Sequence, residues 1–155
     1  MKPQDDDKTK DPPMADTSKP RPEFRNIHVT DLATYRWPVA SIVSGMHRIS
    51  GLLMFLLLPF VIWLFDQSVT SEISYDVFAS AFVAGIGFLP GWFVKLVVLA
   101  LIWAYLHHLI AGVRHLWMDA THRVSKEDGQ SSSLVTLGLV IVLTLALGAK
   151  LFGLY

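Results

Sequence analysis

The sequence contains no cysteine among its 155 residues. This absence excludes disulfide bonds, cysteine-ligated iron–sulfur clusters, structural zinc sites built from cysteine, and a cysteine nucleophile. Net charge is absent as well, because 13 Lys and Arg balance 13 Asp and Glu. A strongly basic nucleic-acid-binding protein is therefore excluded. Any redox chemistry in this chain must use histidine or a centre supplied from elsewhere.

Charged residues are also scarce, and they are unevenly distributed. They make up 17% of the chain, and 14 of the 26 lie within the first 36 residues. Apolar residues make up 52%, and the mean hydropathy is +0.44. Long stretches of the chain thus offer water almost no polar groups. We expect the lipid bilayer to be the solvent for most of the protein.

The first 30 residues mix Asp, Lys and Pro with few apolar side chains. Such a segment buries too little surface to offset the entropy lost on ordering, so we predict a disordered cytoplasmic tail over residues 1–30. No signal peptide is expected, because no apolar segment follows the early charges. Residues 31–155 are predicted to form a membrane-anchor domain.

Apolar runs in this domain predict an all-α integral membrane protein with three transmembrane helices, over about 38–65, 92–119 and 131–153. The first would be about 42 Å long, enough for a tilted crossing. Pro38 suits a first helical turn, whereas Pro59 should kink the helix because proline has no N–H to donate. Residues 72–84 have near-helical apolar spacing, which predicts a short amphipathic helix on the membrane surface; an ordinary loop is the alternative.

The positions of Lys and Arg predict the topology. Seven of them lie in residues 1–36, none lies between Asp66 and Gly91, and two follow the second helix. The N-terminus is therefore predicted to be cytoplasmic, and the chain should end on the opposite side. The start of the first helix and the end of the second should both approach the cytoplasmic face.

Polar residues within the first predicted helix are candidates for function, because ionisable groups are costly in lipid. Ser44, His47, Arg48 and Gly51 stand at i, i+3, i+4 and i+7, which places them in one stripe. Arginine and serine can donate hydrogen bonds to a carboxylate or a quinone carbonyl. The alternative is that Arg48 extends to the membrane surface while the small residues aid helix packing.

The second predicted helix contains the sequence HHLIAGVRHLWMD from His107 to Asp119. Its polar and small residues fall on two adjacent faces: His108, Gly112, His115 and Asp119 on one, and His107, Ala111 and Arg114 on the other. A haem needs a surface without side chains beside its axial histidine, and Gly112 lies one turn after His108. The alternative is a pair of hydrogen-bonded core histidines with a glycine used for packing.

The spacing tests which histidines could ligate one haem iron together. His108 and His115 lie about 10 Å apart along one helix face. Axial ligands approach the iron from opposite sides, so this pair is excluded. His47 lies at a membrane depth similar to that of His108. A pair within the chain and a ligand from another subunit both stay open at this point.

Two blocks of this sequence resemble the cytochrome b subunit of succinate dehydrogenase, a membrane anchor of respiratory complex II. YRWPVASIVSGMHRISG, from Tyr35 to Gly51, is similar to that family's S-x-x-H-R-x-S/T-G motif. HHLIAGVRHLWMD is similar to its H-x-x-x-G-x-R-H-x-x-x-D motif. Both blocks fall on predicted helices in the expected order, and the resemblance extends from about Asp31 to the end of the third helix.

The resemblance implies roles for individual residues. His108 corresponds to the axial ligand of a single haem b, and in this family the partner anchor supplies the second histidine. Ser44 and Arg48 correspond to quinone-binding residues, and His47 and Arg48 to contacts with the haem propionates. The remaining motif residues are expected to surround the haem or to hold helices together: Gly112, Arg114, His115 and Asp119.

The resemblance also implies a function for the whole complex. A flavoprotein subunit oxidises succinate, an iron–sulfur subunit carries the electrons, and ubiquinone is reduced where that subunit meets the two anchors. The chain would contribute no flavin or iron–sulfur chemistry of its own. It would lie in the bacterial inner membrane with the soluble subunits on the cytoplasmic side.

Some features depart from this family, and other functions remain in competition. The N-terminal tail is longer than expected, and IHVTDLATYRWP lacks the S-P-H-L form of many relatives.

The nearest alternative is the anchor of a quinol:fumarate reductase, which has a similar architecture and the opposite direction of electron flow. A small transporter subunit or a scaffold protein is a third possibility, and either would contain no haem.

Overall fold

The computed structural model describes residues 28–155, so most of the predicted tail lies outside the described residues. The chain divides after Tyr35 into two units, residues 1–35 and 36–155. The described part of the first unit contains the short helix α1, Val29–Thr34. The backbone N–H of His28 donates to Asp31 Oδ2 at 3.2 Å, which closes the first turn of this helix. The disordered tail over residues 1–30 stays a prediction.

Residues 36–155 form five helices and no β-strand, and they contain one isolated bridge between Ile86 and Leu89. The helices are α2 (Val39–Leu56), α3 (Leu58–Val69), α4 (Glu72–Ala81), α5 (Gly91–Thr121) and α6 (Lys126–Leu151). Of these, α2, α5 and α6 are long and apolar enough to cross a membrane. The prediction of an all-α membrane protein with three spans is confirmed.

The first predicted helix, 38–65, is divided into α2 and α3 at Leu57. The expected kink at Pro59 thus appears two residues earlier in the chain. The proline ring clashes with the carbonyl group four residues before it, so the backbone departs from helical geometry ahead of the proline. Leu57 has φ −90° and ψ 1°, while its N–H still donates to the Leu53 carbonyl oxygen at 3.0 Å. The helix is therefore interrupted at Leu57 while this bond is kept.

The two long helices α5 and α6 are joined by a short connection. His122 ends α5 in a left-handed conformation, with φ 54°. Ser125 then caps α6, because its Oγ accepts the Asp128 N–H at 3.0 Å. This cap starts α6 at Lys126, five residues before the predicted 131, since the first turns are polar and were not part of the apolar run. Such a short connection makes the two helices antiparallel neighbours.

Helix α4 spans Glu72–Ala81, within the segment predicted as a surface helix. Ser71 caps it by accepting the Ser74 N–H at 3.1 Å. Its position on the membrane surface stays a prediction.

The helices α2, α5 and α6 pack against one another. Many of the residues buried in these helices are small or polar, and three valines are buried with them: Ser50, Ala104, Ala111, Ser133, Thr136, Val43, Val94 and Val140. Small residues let helix backbones approach closely, which is the usual basis of packing in lipid. Large apolar side chains face outward instead, among them Phe55, which is 72% exposed. This arrangement suits a protein surrounded by lipid and by other membrane subunits.

Candidate functional site

The two polar faces predicted for α5 differ in burial. His107, Ala111 and Arg114 are buried, whereas His108 and Gly112 are only partly buried. The buried face meets the neighbouring helices, so its polar groups must find partners within the protein. The other face is partly exposed and contacts α2 through His47.

His107 is fully buried and is bonded to α2. Its Nε2 lies 3.3 Å from the Val43 carbonyl oxygen, and its ring stacks on Trp103 with centroids 5.6 Å apart. Because a carbonyl oxygen can only accept, Nε2 carries the proton. The other ring nitrogen, Nδ1, is buried without a hydrogen-bond partner. His107 thus acts in helix packing and has no nitrogen open to a large ligand.

His108 is bonded to the next turn of α2 through its other ring nitrogen. Its Nδ1 lies 3.1 Å from the His47 carbonyl oxygen, so Nδ1 carries the proton. In the neutral ring, Nε2 then holds a free lone pair. Proteins orient metal-binding histidines by this kind of hydrogen bond to the non-ligating nitrogen. Of the two adjacent histidines, His108 is therefore the one that can bind a metal centre.

Two small residues of α2 determine where the His108 ring lies. Ser50 is fully buried, and its hydroxyl donates to the same His47 carbonyl oxygen at 2.8 Å and lies 3.4 Å from His108 Nδ1. Gly51 faces the ring directly, because a Cβ atom at this position would lie 3.0 Å from His108 Cε1. Ser50 and Gly51 end the S-x-x-H-R-x-S/T-G motif, but their contact with His108 is not evident from the sequence.

Three histidine rings form a cluster beside this position, which we call the histidine cluster: His47, His108 and His115. The rings of His47 and His108 are stacked, with centroids 4.1 Å apart and planes at 22°. His115 lies 5.4 Å from His47 by the same measure. His47 Nε2 is buried without a hydrogen-bond partner, and a Cβ atom at Gly112 would lie 3.8 Å from it. The cluster thus contains an unsatisfied polar atom beside a glycine.

Arg114 is directed to α6 and not to the histidine cluster. Its Nε donates to Ser132 Oγ at 2.9 Å, and its Nη2 donates to the Gly129 carbonyl oxygen at 3.1 Å. These bonds join α5 to α6, the second of the two roles expected for this residue. Asp119 is exposed near the end of α5.

Ser44 and Arg48 lie on α2 beside a groove whose lining contains none of the three cluster histidines. They line an open groove of about 490 Å³ together with Trp37, Ser41 and Gly45. Within the predicted stripe, Ser44 and Arg48 line the groove, whereas His47 and Gly51 contact His108 of α5. Hydroxyl, guanidinium and aromatic groups in one groove suit a flat ligand with carbonyl oxygens. Trp37 and Ser41 are groove residues that the sequence analysis did not identify.

Within residues 28–155, no three His, Asp or Glu side chains are arranged to hold a metal ion. The geometry of His108 suits instead a centre that needs one axial nitrogen from this chain, as haem iron does.

Comparison with known proteins identifies the family. Residues 19–147 match the family described as "Succinate dehydrogenase/Fumarate reductase transmembrane subunit". The chain belongs to this family. The "Succinate dehydrogenase cytochrome b556 subunit" of Coxiella burnetii is 34% identical over 103 residues, which are 66% of this chain and 78% of that protein. The protein of the same name from Paracoccus denitrificans is 31% identical over 112 residues, 72% of this chain and 81% of that protein.

Membership of the succinate dehydrogenase/fumarate reductase family confirms the resemblance drawn from the two sequence blocks. Together with the three apolar helices, it makes the chain a multi-pass membrane protein that takes part in an oxidoreductase complex.

Proposed function

We propose that this chain anchors a succinate:quinone oxidoreductase in the bacterial inner membrane. It binds one haem b together with a second anchor subunit and forms part of the ubiquinone-reduction site. The observation that carries the proposal is the hydrogen bond from His108 Nδ1 to the His47 carbonyl oxygen. This bond supports His108 as an axial ligand, because it orients the ring and leaves the Nε2 lone pair for the iron.

Two further features fit a haem beside His108. Packing within the chain does not require a glycine at position 112, because a Cβ atom there would make only an ordinary contact with His47. A haem held by His108 against this face of α5 would need the glycine, because a side chain there would meet it. Among residues 28–155, the buried Nε2 of His47 has no hydrogen-bond partner, so it can bond a haem propionate. Arg48, the next residue in the chain, adds positive charge. When bound, haem b supplies a one-electron carrier whose potential depends on these surroundings.

The second axial ligand is proposed to come from the partner anchor. His47 was the remaining candidate within the chain, but its ring is stacked on that of His108 with centroids 4.1 Å apart. Two ligands of one iron must face each other across the macrocycle. Stacked rings leave no such space between them, which supports a ligand from another subunit.

The groove containing Ser44 and Arg48 is proposed to bind the ubiquinone headgroup. Reduction adds two electrons and two protons to the quinone, and negative charge develops on its carbonyl oxygens. The guanidinium of Arg48 can donate to one oxygen and stabilise this charge, while the Ser44 hydroxyl helps to orient the ring. Trp37 offers an aromatic surface at the mouth of the groove.

The electrons are proposed to reach this groove from soluble partner subunits. The chain has no cysteine with which to ligate an iron–sulfur cluster, so an iron–sulfur subunit delivers the electrons that a flavoprotein subunit takes from succinate. The positions of Lys and Arg favour a cytoplasmic location for the start of α2, where the groove lies and which Arg36 precedes. Docking of the soluble subunits on that side agrees with this topology.

The test is a reduced-minus-oxidised visible spectrum of membranes containing the assembled complex, with succinate as reductant. We expect a b-type α band and succinate-dependent reduction of ubiquinone. A complex without haem would contradict the proposal and favour the transporter or scaffold. If quinol-driven fumarate reduction is faster than succinate oxidation, the anchor of a fumarate reductase is favoured. The names of both relatives, succinate dehydrogenase, favour succinate oxidation.

Gly51→Ala is expected to weaken haem binding roughly tenfold, because overpacking of a well-filled site typically costs 1–3 kcal/mol. The added methyl group would lie 3.0 Å from His108 Cε1 and displace the ring. Haem per anchor polypeptide would be measured on the purified complex.

Gly138→Ala in α6 is the matched control, because a Cβ atom there meets nothing within 4 Å. Equal haem content in the two variants would contradict the role of Gly51 in seating His108.

A further inference from the structure

A second cavity, of about 500 Å³, lies where α2 begins, α5 ends and α6 begins. We call it the basic cavity, because Arg36, Arg114 and Lys126 all line it. Among residues 28–155, no Asp or Glu lines it. Three positive charges thus surround one space that neither the haem nor the quinone proposal uses.

Arg114 is the fixed member of this group. It is 8% exposed, so it cannot extend freely into solvent. Its Nε and Nη2 donate to Ser132 and Gly129, both of which are uncharged partners. Guanidinium has five N–H donors, so these two bonds leave others available at the cavity wall. A buried cation without a counterion is costly, and an anion in the cavity would relieve this cost.

The acidic residues near the start of α6 do not neutralise the basic cavity. Asp128 accepts a hydrogen bond from Ser125 at 2.9 Å and lines a separate cavity that also contains Arg123. Glu127 is exposed and does not line the basic cavity. Asp119, near the end of α5, is also exposed and does not line it. Within the part of the chain that the structure describes, no carboxylate in the cavity wall balances its positive charge.

We propose that the basic cavity binds the phosphate group of an anionic phospholipid. The cavity opens at the ends of membrane-spanning helices, the depth at which lipid headgroups lie. Trp37 also lines it, and tryptophan is enriched at this depth. Val39 and Met118 provide an apolar wall for an acyl chain. Basic pockets between transmembrane helices on the cytoplasmic side are suited to such headgroups. This inference does not depend on the haem or quinone proposals.

The experiment compares two lipids with identical acyl chains. Assembled complex, stripped of lipid in mild detergent, is incubated with equal amounts of phosphatidylglycerol and phosphatidylcholine, and bound lipid is counted by native mass spectrometry. We expect the wild type to prefer phosphatidylglycerol. The variants Arg36→Gln and Lys126→Gln alter exposed side chains and should each lower this preference about fivefold.

Arg123→Gln is the matched control, since Arg123 lies in the same connection but outside the basic cavity. It should retain the preference. An unchanged preference in Arg36→Gln and Lys126→Gln, as expected if an acidic segment of a partner subunit fills the cavity, would overturn the proposal. An equal loss in Arg123→Gln would also overturn it, because surface charge alone would then explain binding. Binding of inorganic phosphate with no difference between the lipids would overturn the assignment to a lipid.

Discussion

His108→Ala is expected to abolish haem b binding while both anchor polypeptides persist in the membrane. In the wild type, His108 Nδ1 is bonded to the His47 carbonyl oxygen and Nε2 is free. The variant removes this free Nε2, the proposed ligand atom. The measurement is the α band of the reduced-minus-oxidised spectrum, with each anchor quantified by immunoblotting. An unchanged α band would contradict the assignment of His108.

Two controls separate ligation from structural damage. His107→Gln alters the adjacent histidine, which is bonded to the Val43 carbonyl oxygen. This variant should retain the haem spectrum, provided that the protein is still present in the membrane. His108→Gly should recover a haem spectrum when imidazole is added, because the small molecule can replace the missing ring. Recovery in a glycine variant at position 107, and not at 108, would reverse the assignment.

Arg48→Leu is expected to slow ubiquinone reduction roughly a hundredfold, the usual cost of removing one donor that stabilises developing negative charge. The assay measures succinate:ubiquinone activity of the purified complex against succinate oxidation with an artificial dye. The dye activity should remain, since the soluble subunits supply it. Equal losses in both assays would indicate disrupted assembly and contradict a role at the quinone.

Variants of neighbouring residues distinguish the quinone role of Arg48 from its proposed contact with the haem propionates. Ser44→Ala should lower ubiquinone reduction by up to about tenfold, the value of one neutral hydrogen bond, with haem content unchanged. Arg123→Leu, outside the groove, should leave the activity at the wild-type level. Unaltered ubiquinone reduction in Arg48→Leu would exclude this groove as the quinone site.

The fold was largely predictable because membrane insertion depends on local composition. A run such as GLLMFLLLPFVIWLF offers water no charge, and this property does not depend on what the helix later contacts. Pro59 likewise predicts a break in the helix, because its ring leaves no backbone N–H to donate. The start of α6 was predicted less well, since its first turns are polar and depend on the cap formed by Ser125.

The site was predictable in its residue types and less so in its contacts. Helical periodicity places His107 and His108 on adjacent faces of one helix. It does not say which face meets α2, and so cannot decide which ring is buried. The same limit applies to Arg114, whose partners lie in α6, and to Gly51, whose role depends on a ring 57 positions away in the chain.

The sequence by itself determined the membrane character, the three spans, the absence of cysteine chemistry and the two motifs that indicated the family. Only the tertiary structure decided that His108 keeps a free nitrogen, that Ser50 and Gly51 contact its ring, and that Arg48 lines a groove whose lining does not include His47. The physical reason is that hydropathy and helical period are properties of neighbouring residues. A hydrogen bond between α2 and α5 depends on how two helices from distant parts of the chain cross.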